Sequence, residues 1–227
     1  MKTTYTQKIM ASHDAPQQIE ALIEAMNAEK QRRNAFREWV TPNMKAEFIN
    51  GKIITHSPVK SRHWEITDLL SGIIGIYVKL HRLGRTGVEK VMIALDRNDY
   101  EPDLVFFSTE KAALFTDDQV LFPAPDLAVE ILSPKTAAKD RGIKKKDYAA
   151  NRILEYWIID PTRNQVEQYI LLSPNDQAYS PPKILTIYDD IESIAIPGFT
   201  IPVLAIFDQS ANVQAIQSFL QSTPTHK

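Results

Sequence analysis

The sequence predicts a mixed α/β protein, a β-sheet flanked by helices, with an N-terminal helical extension over residues 1–42. Three observations predict it. Apolar residues recur at helical spacing in well-separated stretches, short β-branched runs bounded by turn residues lie between them, and no Gly-, Ser- or Pro-rich linker divides residues 43–227. A length of 227 residues suits one elaborated domain. With 26 basic and 28 acidic side chains the net charge is -2, which excludes a polycationic nucleic-acid binder but not a local basic patch. The absence of cysteine excludes a disulfide framework, a Cys-ligated metal site and a thiol nucleophile.

Asp14 with Pro16 reads as a helix start, and Ile19, Leu22, Ile23 and Met26 follow at helical spacing. This helix ends near Val40, before Thr41-Pro42, and is expected to pack on the rest of the chain. Glu47-Phe48-Ile49, Asn50-Gly51 and Lys52-Ile53-Ile54-Thr55 form a hairpin, because Asn-Gly supplies the two positive φ angles of a type I′ turn. A long helix follows from Ser61 to His81, with Ile66, Leu69, Leu70, Ile73, Ile74, Tyr77 and Leu80 on one broad stripe. Strands are expected over residues 88–95 and 103–107, joined through a polar turn at Asn98, and over the apolar run 127–132. Ser133-Pro134 ends that run, and a helix follows over residues 136–150. Strands over 155–159, 166–171, 184–188 and 194–201, and a helix over 212–220, complete the chain.

No stretch spans ~30 Å of hydrocarbon; the longest apolar run, 69–78, carries Ser71 and two glycines. Residues 1–10 lack the apolar core of a secretory signal, so a cytoplasmic location is expected. Glycine-rich phosphate loops, a G-x-S-x-G elbow and an H-E-x-x-H pair are all missing, and the five histidines show no ligand spacing.

Charges stand where burial is expected in three places. Asp103, after Pro102, opens one strand. Glu130 lies inside Leu127-Ala128-Val129-Glu130-Ile131-Leu132, on the face of Ala128 and Leu132. A buried carboxylate costs several kcal/mol unless paired or bound to a cation. On the next helix, at ~100° per residue, Ala137, Arg141, Lys144 and Tyr148 share one stripe, while Lys145 points sideways and Lys146 outward. Two acids and an inward lysine suit hydrolysis of a phosphodiester: the acids hold a hard cation such as Mg²⁺ and the lysine orients or deprotonates a water. Asp126, after Pro125, competes for the first role, but it lies four residues before Glu130, ~13 Å along one strand, too far for one ion. Residues 135–152 carry seven basic and two acidic side chains, a phosphate-facing patch in which Lys135, Lys139, Arg141 and Lys145 are the expected DNA contacts.

Pro102-Asp103, Val129-Glu130-Ile131-Leu132-Ser133-Pro134, Asp140-Arg141-Gly142 with Lys144 and Tyr148, and Glu155-Tyr156-Trp157-Ile158-Ile159-Asp160-Pro161 together resemble a restriction-endonuclease-like family that is greatly expanded in cyanobacteria and belongs to the PD-(D/E)xK nuclease superfamily. Glu47-Phe48-Ile49-Asn50-Gly51 and Ser61-Arg62-His63 extend the resemblance over residues 40–205. It implies a restriction-endonuclease-like fold and a metal-dependent endonuclease, with Asp103 and Glu130 as ligands of Mg²⁺ or Mn²⁺. The superfamily lysine, two residues after the second acid, is replaced here by Leu132, and the family position matching Lys144 supplies it instead. Glu47 would add an acid, and His63 a phosphate or water contact. Arg152 stands where the family has glycine, and Lys135 where a small polar residue is usual.

Each of these residues also has a plainer role: a turn residue at Asp103, an ion pair of Glu130 with Lys144 or Arg141, a solvated hairpin acid at Glu47, a structural histidine at His63, a core tyrosine at Tyr148. The rival function is a non-catalytic nucleic-acid-binding or assembly module on the same fold. A homodimer, joined through the N-terminal helix, would suit cutting of two strands.

Overall fold

The computed structural model describes residues 4–41 and 43–222. Pro42, read as part of the first helix stop, and His226 lie outside them. Helix α1 (Tyr5–Met10) is closed by a capping box from Thr4, and α2 (Ala15–Trp39) begins after Asp14 with Pro16 in its first turn. The expectation that α2 packs on the chain holds chiefly for its second half, Ala15 being the one buried residue of its first half. Phe36 is buried 5.8 Å from the Phe48 ring, and Arg33 and Arg37 both fork onto the buried carboxylate of Asp99. Ile19, Leu22, Ile23 and Met26, by contrast, are 40–55% exposed.

Strands β1 (Ala46–Ile49) and β2 (Lys52–Thr55) form the expected hairpin, with Asn50 and Gly51 at φ 49° and 78°. Helix α3 (Ser61–His81) ends at the left-handed Arg82. The expected strand over 88–95 is two strands in different sheets, β3 (Gly84–Val88) and β4 (Met92–Ala94). Between them Glu89 and Lys90 both take positive φ, a break that no glycine or proline announces. β5 (Asp99–Tyr100), β6 (Leu104–Ser108), the short α4 (Thr109–Ala112), β7 (Leu121–Phe122) and β8 (Leu127–Ile131) follow. The next helix is not uniform: α5 (Ala137–Lys139) passes through a π-helical turn (Asp140–Lys144) into α6 (Lys145–Ala150). Arg152, in the glycine position, takes φ 61°. Then come β9 (Glu155–Asp160), β10 (Gln165–Ile170) and β11 (Lys183–Thr186). Instead of a strand over 194–201, β12 (Asp190–Glu192) and β13 (Thr200–Pro202) pair as a ribbon, because Pro197-Gly198, with Gly198 at φ 74°, turns the chain. Helix α7 (Gln209–Ser222) is longer than expected.

The mixed α/β class holds, with sheets flanked by helices. A six-stranded sheet of order β11-β10-β9-β8-β6-β3 has one parallel pair, β8 with β9, joined by the helical crossover over residues 137–150. A five-stranded sheet of order β2-β1-β5-β4-β7 stands beside it. Alternation along β6 and β8 sends Leu104, Phe106, Leu127 and Val129 into one core with Ile66, Ile73 and Tyr77 of α3, and Val105, Phe107 and Ala128 into another with Tyr148 of α6 and Tyr100 of β5. Glu130 shares the parity of Ala128, so its carboxylate faces the second core, between the two sheets and α6. Among the described residues no helix is long and apolar enough to cross a membrane.

Candidate active site between the two sheets

The register Leu104↔Val129 between β6 and β8 carries Asp103 to the level of Glu130, and the Ile131 amide donates to Asp103 Oδ2 at 2.8 Å. Asp126 is elsewhere, accepting from the Ser108 amide at 2.7 Å and pairing with Lys111 at 2.8 Å. The acids around Asp103 and Glu130 divide into two halves.

In the closed half, the Lys144 ammonium lies 2.8 Å from Glu47 Oε1, 2.9 Å from Glu130 Oε1 and 3.6 Å from Asp140 Oδ1, and its side chain is 3% exposed. The Tyr148 hydroxyl donates to Glu130 Oε1 at 2.8 Å. Lys144 and Tyr148, four residues apart, therefore meet on one carboxylate, as the helical phase requires. Arg141 departs from the expected stripe. The wider π turn rotates it away, and its guanidinium binds Glu167 (Nε–Oε1 2.7 Å) and Asp160 (3.4 Å). Asp140 is buried with neither carboxylate oxygen hydrogen-bonded.

In the open half, Lys45 Nζ sits 2.9 Å from Asp103 Oδ1 and 2.7 Å from Glu89 Oε2. His63 Nε2 lies 3.4 Å from Asp103 Oδ1. Glu47 links the halves: it is fully buried, with His56 Nε2 3.0 Å from Oε2 and the Glu101 amide donating to Oε1. A cleft of about 590 Å³ opens on this side, lined in part by Lys45, His56, Glu89 and Lys90.

Charge governs the protonation of these groups. Burial would raise the Glu47 carboxyl, but the Lys144 ammonium and His56 bring it down to about 2. Burial opposes ionisation of Asp103 as well, yet His63, Lys45 and the Ile131 amide hold it well below the usual carboxylate range. Glu130 and Asp140 move the other way: burial raises both against the pull of Lys144, helped at Glu130 by the charges of Asp140, Asp103 and Glu47 and at Asp140 by those of Glu47 and Asp103. Burial alone would discharge Lys144, but Glu130, Glu47 and Asp140 keep it protonated. Glu101, buried beside Glu47, is pushed up to about 7. Five carboxylates thus surround two ammoniums: Glu89 and Asp103 at Lys45, and Glu47, Glu130 and Asp140 at Lys144.

Such an excess of acid favours a cation. Donor atoms of His63, Glu89 and Asp103 lie within 4.8 Å of one another, a set of two hard carboxylates and one imidazole. Glu130 is not in that triad; it stands across Asp103, on the Lys144 side.

Of the residues singled out in the sequence, Glu47, His63, Asp103, Glu130 and Lys144 converge here, and Lys135, Lys139, Arg141 and Lys145 do not line the cleft. Lys135 is exposed, Lys139 half-buried, and the Lys145 ammonium lies 5.0 Å over the Tyr169 ring. Lys45, His56, Glu89 and Asp140 were missed. Lys45 was legible, since it precedes Glu47 by two residues and strand alternation puts both on one side. Asp140 stood in the Asp140-Arg141-Gly142 motif. Glu89 carried no signal, because only the left-handed turn aims it inward.

Residues 33–204 match the model of a family, Uma2, described as "putative restriction endonuclease". The chain belongs to this family. The match begins within α2, at the arginine that binds Asp99, and takes in every residue of both halves of the site. The family places the chain among nucleases, whose substrates are nucleic acids. No curated protein matches it. A solved structure from Anabaena variabilis, described as a "putative nuclease belonging to DUF820", is similar in fold at a TM-score of 0.66 and 19% identity. That similarity covers 78% of this chain and 96% of the other, and it bears out the restriction-endonuclease-like fold.

Proposed function

We propose that the chain is a metal-dependent endonuclease that hydrolyses DNA phosphodiester bonds, with Asp103 and Glu130 as ligands of Mg²⁺ or Mn²⁺ and Lys144 assisting the attacking water. The observation that carries this reading is the surplus of carboxylates over ammoniums at one junction of strands in a chain of a nuclease family. Asp103, held ionised, is the acid best suited to a cation, and His63 and Glu89 supply further donor atoms beside it. A bound divalent ion would stabilise negative charge on the phosphodiester oxygens. Lys144, kept protonated, donates hydrogen bonds rather than taking a proton, so its part is to orient the water and the phosphate. Glu47, 2.8 Å from the Lys144 ammonium, helps to fix it beside Glu130. Residues 1–42 serve as a helical extension to a nuclease domain over 43–227, and the unpacked stripe of α2 supports a homodimer.

A second reading has its own observation: each lysine is already ion-paired with the acids around it, Lys45 with Asp103 and Glu89 and Lys144 with Glu47 and Glu130, which would suit a module that binds nucleic acid without cutting it. Incubating supercoiled and linear DNA with wild type and Glu130→Gln, in Mg²⁺ and in Mn²⁺, separates the two. Metal-dependent nicking by wild type alone supports the nuclease. A salt-dependent gel shift without cutting in either metal supports the module.

A further inference from the structure

The three tryptophans of the chain sit in different surroundings. Trp157 is fully buried and donates to Glu155 at 2.6 Å, and Trp39 lies 6.3 Å from the Phe36 ring. Trp64, in the first turn of α3, is 61% exposed, and its indole makes no ring contact, cation–π contact or hydrogen bond among the described residues. An exposed indole offers a flat apolar face and an N–H donor to whatever enters beside it.

The position of Trp64 narrows what that partner is. It lines the same cleft as Lys45 and Glu89, the pair that meets Asp103. His63, one residue before it, points at Asp103, so Trp64 is turned ~100° from the acid while remaining beside it. Two more exposed apolar side chains, Val59 and Val88, line this cleft, at 46% and 41% exposure. The cleft also carries cations and acids together, Lys45 and Lys90 with Glu89 and Asp68. A groove built for duplex backbone would show a stripe of one sign of charge. A wall of exposed indole and aliphatic groups next to a phosphate-sized acid and lysine site instead suits the flat face of a base that is not paired. The volume of about 590 Å³ is enough for a nucleobase.

We infer that Trp64 is a stacking platform for an unpaired base of a single DNA strand, flanking the phosphate that Lys45, or a cation at Asp103, would attract, so that the substrate is single-stranded or locally unpaired DNA. This rests on the nuclease reading for the phosphate but not for the stacking. Among the described residues Trp64 makes no hydrogen bond or cation–π contact with the acids or the lysines, and its exposure keeps the expected folding cost of replacement small.

The test is fluorescence anisotropy of a short labelled single strand and of its blunt duplex, measured in EDTA with wild type, Trp64→Ala, Trp64→Phe and Trp39→Ala. The inference expects Trp64→Ala to weaken single-strand binding by about tenfold, Trp64→Phe to retain most of it, and Trp39→Ala to behave as wild type. Duplex affinity is expected to stay within about twofold, since no stacking is lost there. Unchanged single-strand binding by Trp64→Ala, an equal loss on the duplex, or no single-strand binding by wild type overturns it. Because no metal is present, the result is independent of cutting. Failure of wild type to cleave in Mg²⁺ or Mn²⁺ would remove the nuclease reading and leave the stacking, whereas cleavage with no effect of Trp64→Ala would do the reverse.

Discussion

Two glutamates are buried on the adjacent parallel strands β8 and β9, Glu130 and Glu155, and their surroundings could hardly differ more. Glu155 accepts from four donors: Trp157 Nε1 and Gln168 Nε2 on one oxygen, both at 2.6 Å, and Ser193 Oγ and the Ala195 amide on the other, at 2.7 and 2.9 Å. None of those partners is charged. Glu130 shares one oxygen between the Lys144 ammonium and the Tyr148 hydroxyl, and no hydrogen bond reaches its Oε2 among the described residues. Asp140, Asp103 and Glu47 press on it electrostatically. Burial of an acid therefore does not by itself point to a site; what sets Glu130 apart is burial among other acids with capacity left over. Glu155 is a structural knot that ties the loop after β12 to the sheet, and Glu130 belongs to a cluster whose charge is unbalanced.

Substitutions can break or sharpen this contrast. The largest effect is expected from Lys144→Met, which leaves Glu47, Glu130 and Asp140 buried without their cation. A loss of about 3–5 kcal/mol in urea unfolding is the expected outcome; a loss under about 1 kcal/mol would mean that the three acids shed their charge freely and that Lys144 is not what holds them. Next is Glu155→Gln, which turns an amide nitrogen toward donors that need an acceptor. It should cost about 1–3 kcal/mol and leave divalent-cation binding untouched. Glu89→Gln should weaken Mn²⁺ binding about tenfold in calorimetry, with no loss of fold, because it removes one carboxylate donor near Asp103 and leaves the turn intact. Smallest is Lys145→Ala, which gives up only a half-exposed contact over Tyr169. Stability within about 0.5 kcal/mol of wild type is expected, along with undiminished cleavage. If Lys145→Ala matched Lys144→Met in both assays, net charge rather than position would be what matters.

Much of the fold was legible in the sequence where one local rule dominates. The α3 helix matches its apolar stripe from Ser61 to His81, and Asn50-Gly51 fixes the hairpin by its turn chemistry. Legibility failed where long-range packing decides. Glu89 and Lys90 adopt left-handed backbone between two sheets with no sequence mark, so residues 88–95 read as one strand. The π turn at Asp140–Lys144 left the pairing of Lys144 with Tyr148 intact but threw Arg141 off the shared face. The apolar residues at the start of α2 have helical spacing, but spacing does not say whether a surface is waiting for them, and among the described residues Ile19, Leu22, Ile23 and Met26 stay 40–55% exposed. At the site, Asp103, Glu130 and Lys144 announced themselves by charge in apolar company. His63 and Glu89 could not, since the turn after β3 and the first turn of α3 meet Asp103 only in three dimensions.

The central claim, that the surplus of acid around Asp103 and Glu130 is there to take up a divalent cation, is tested most directly by Mn²⁺ titration calorimetry on wild type, Asp103→Asn and Glu155→Gln. The account predicts binding by wild type and Glu155→Gln alike and none by Asp103→Asn. Equal binding by Asp103→Asn, or no binding by wild type, would contradict it.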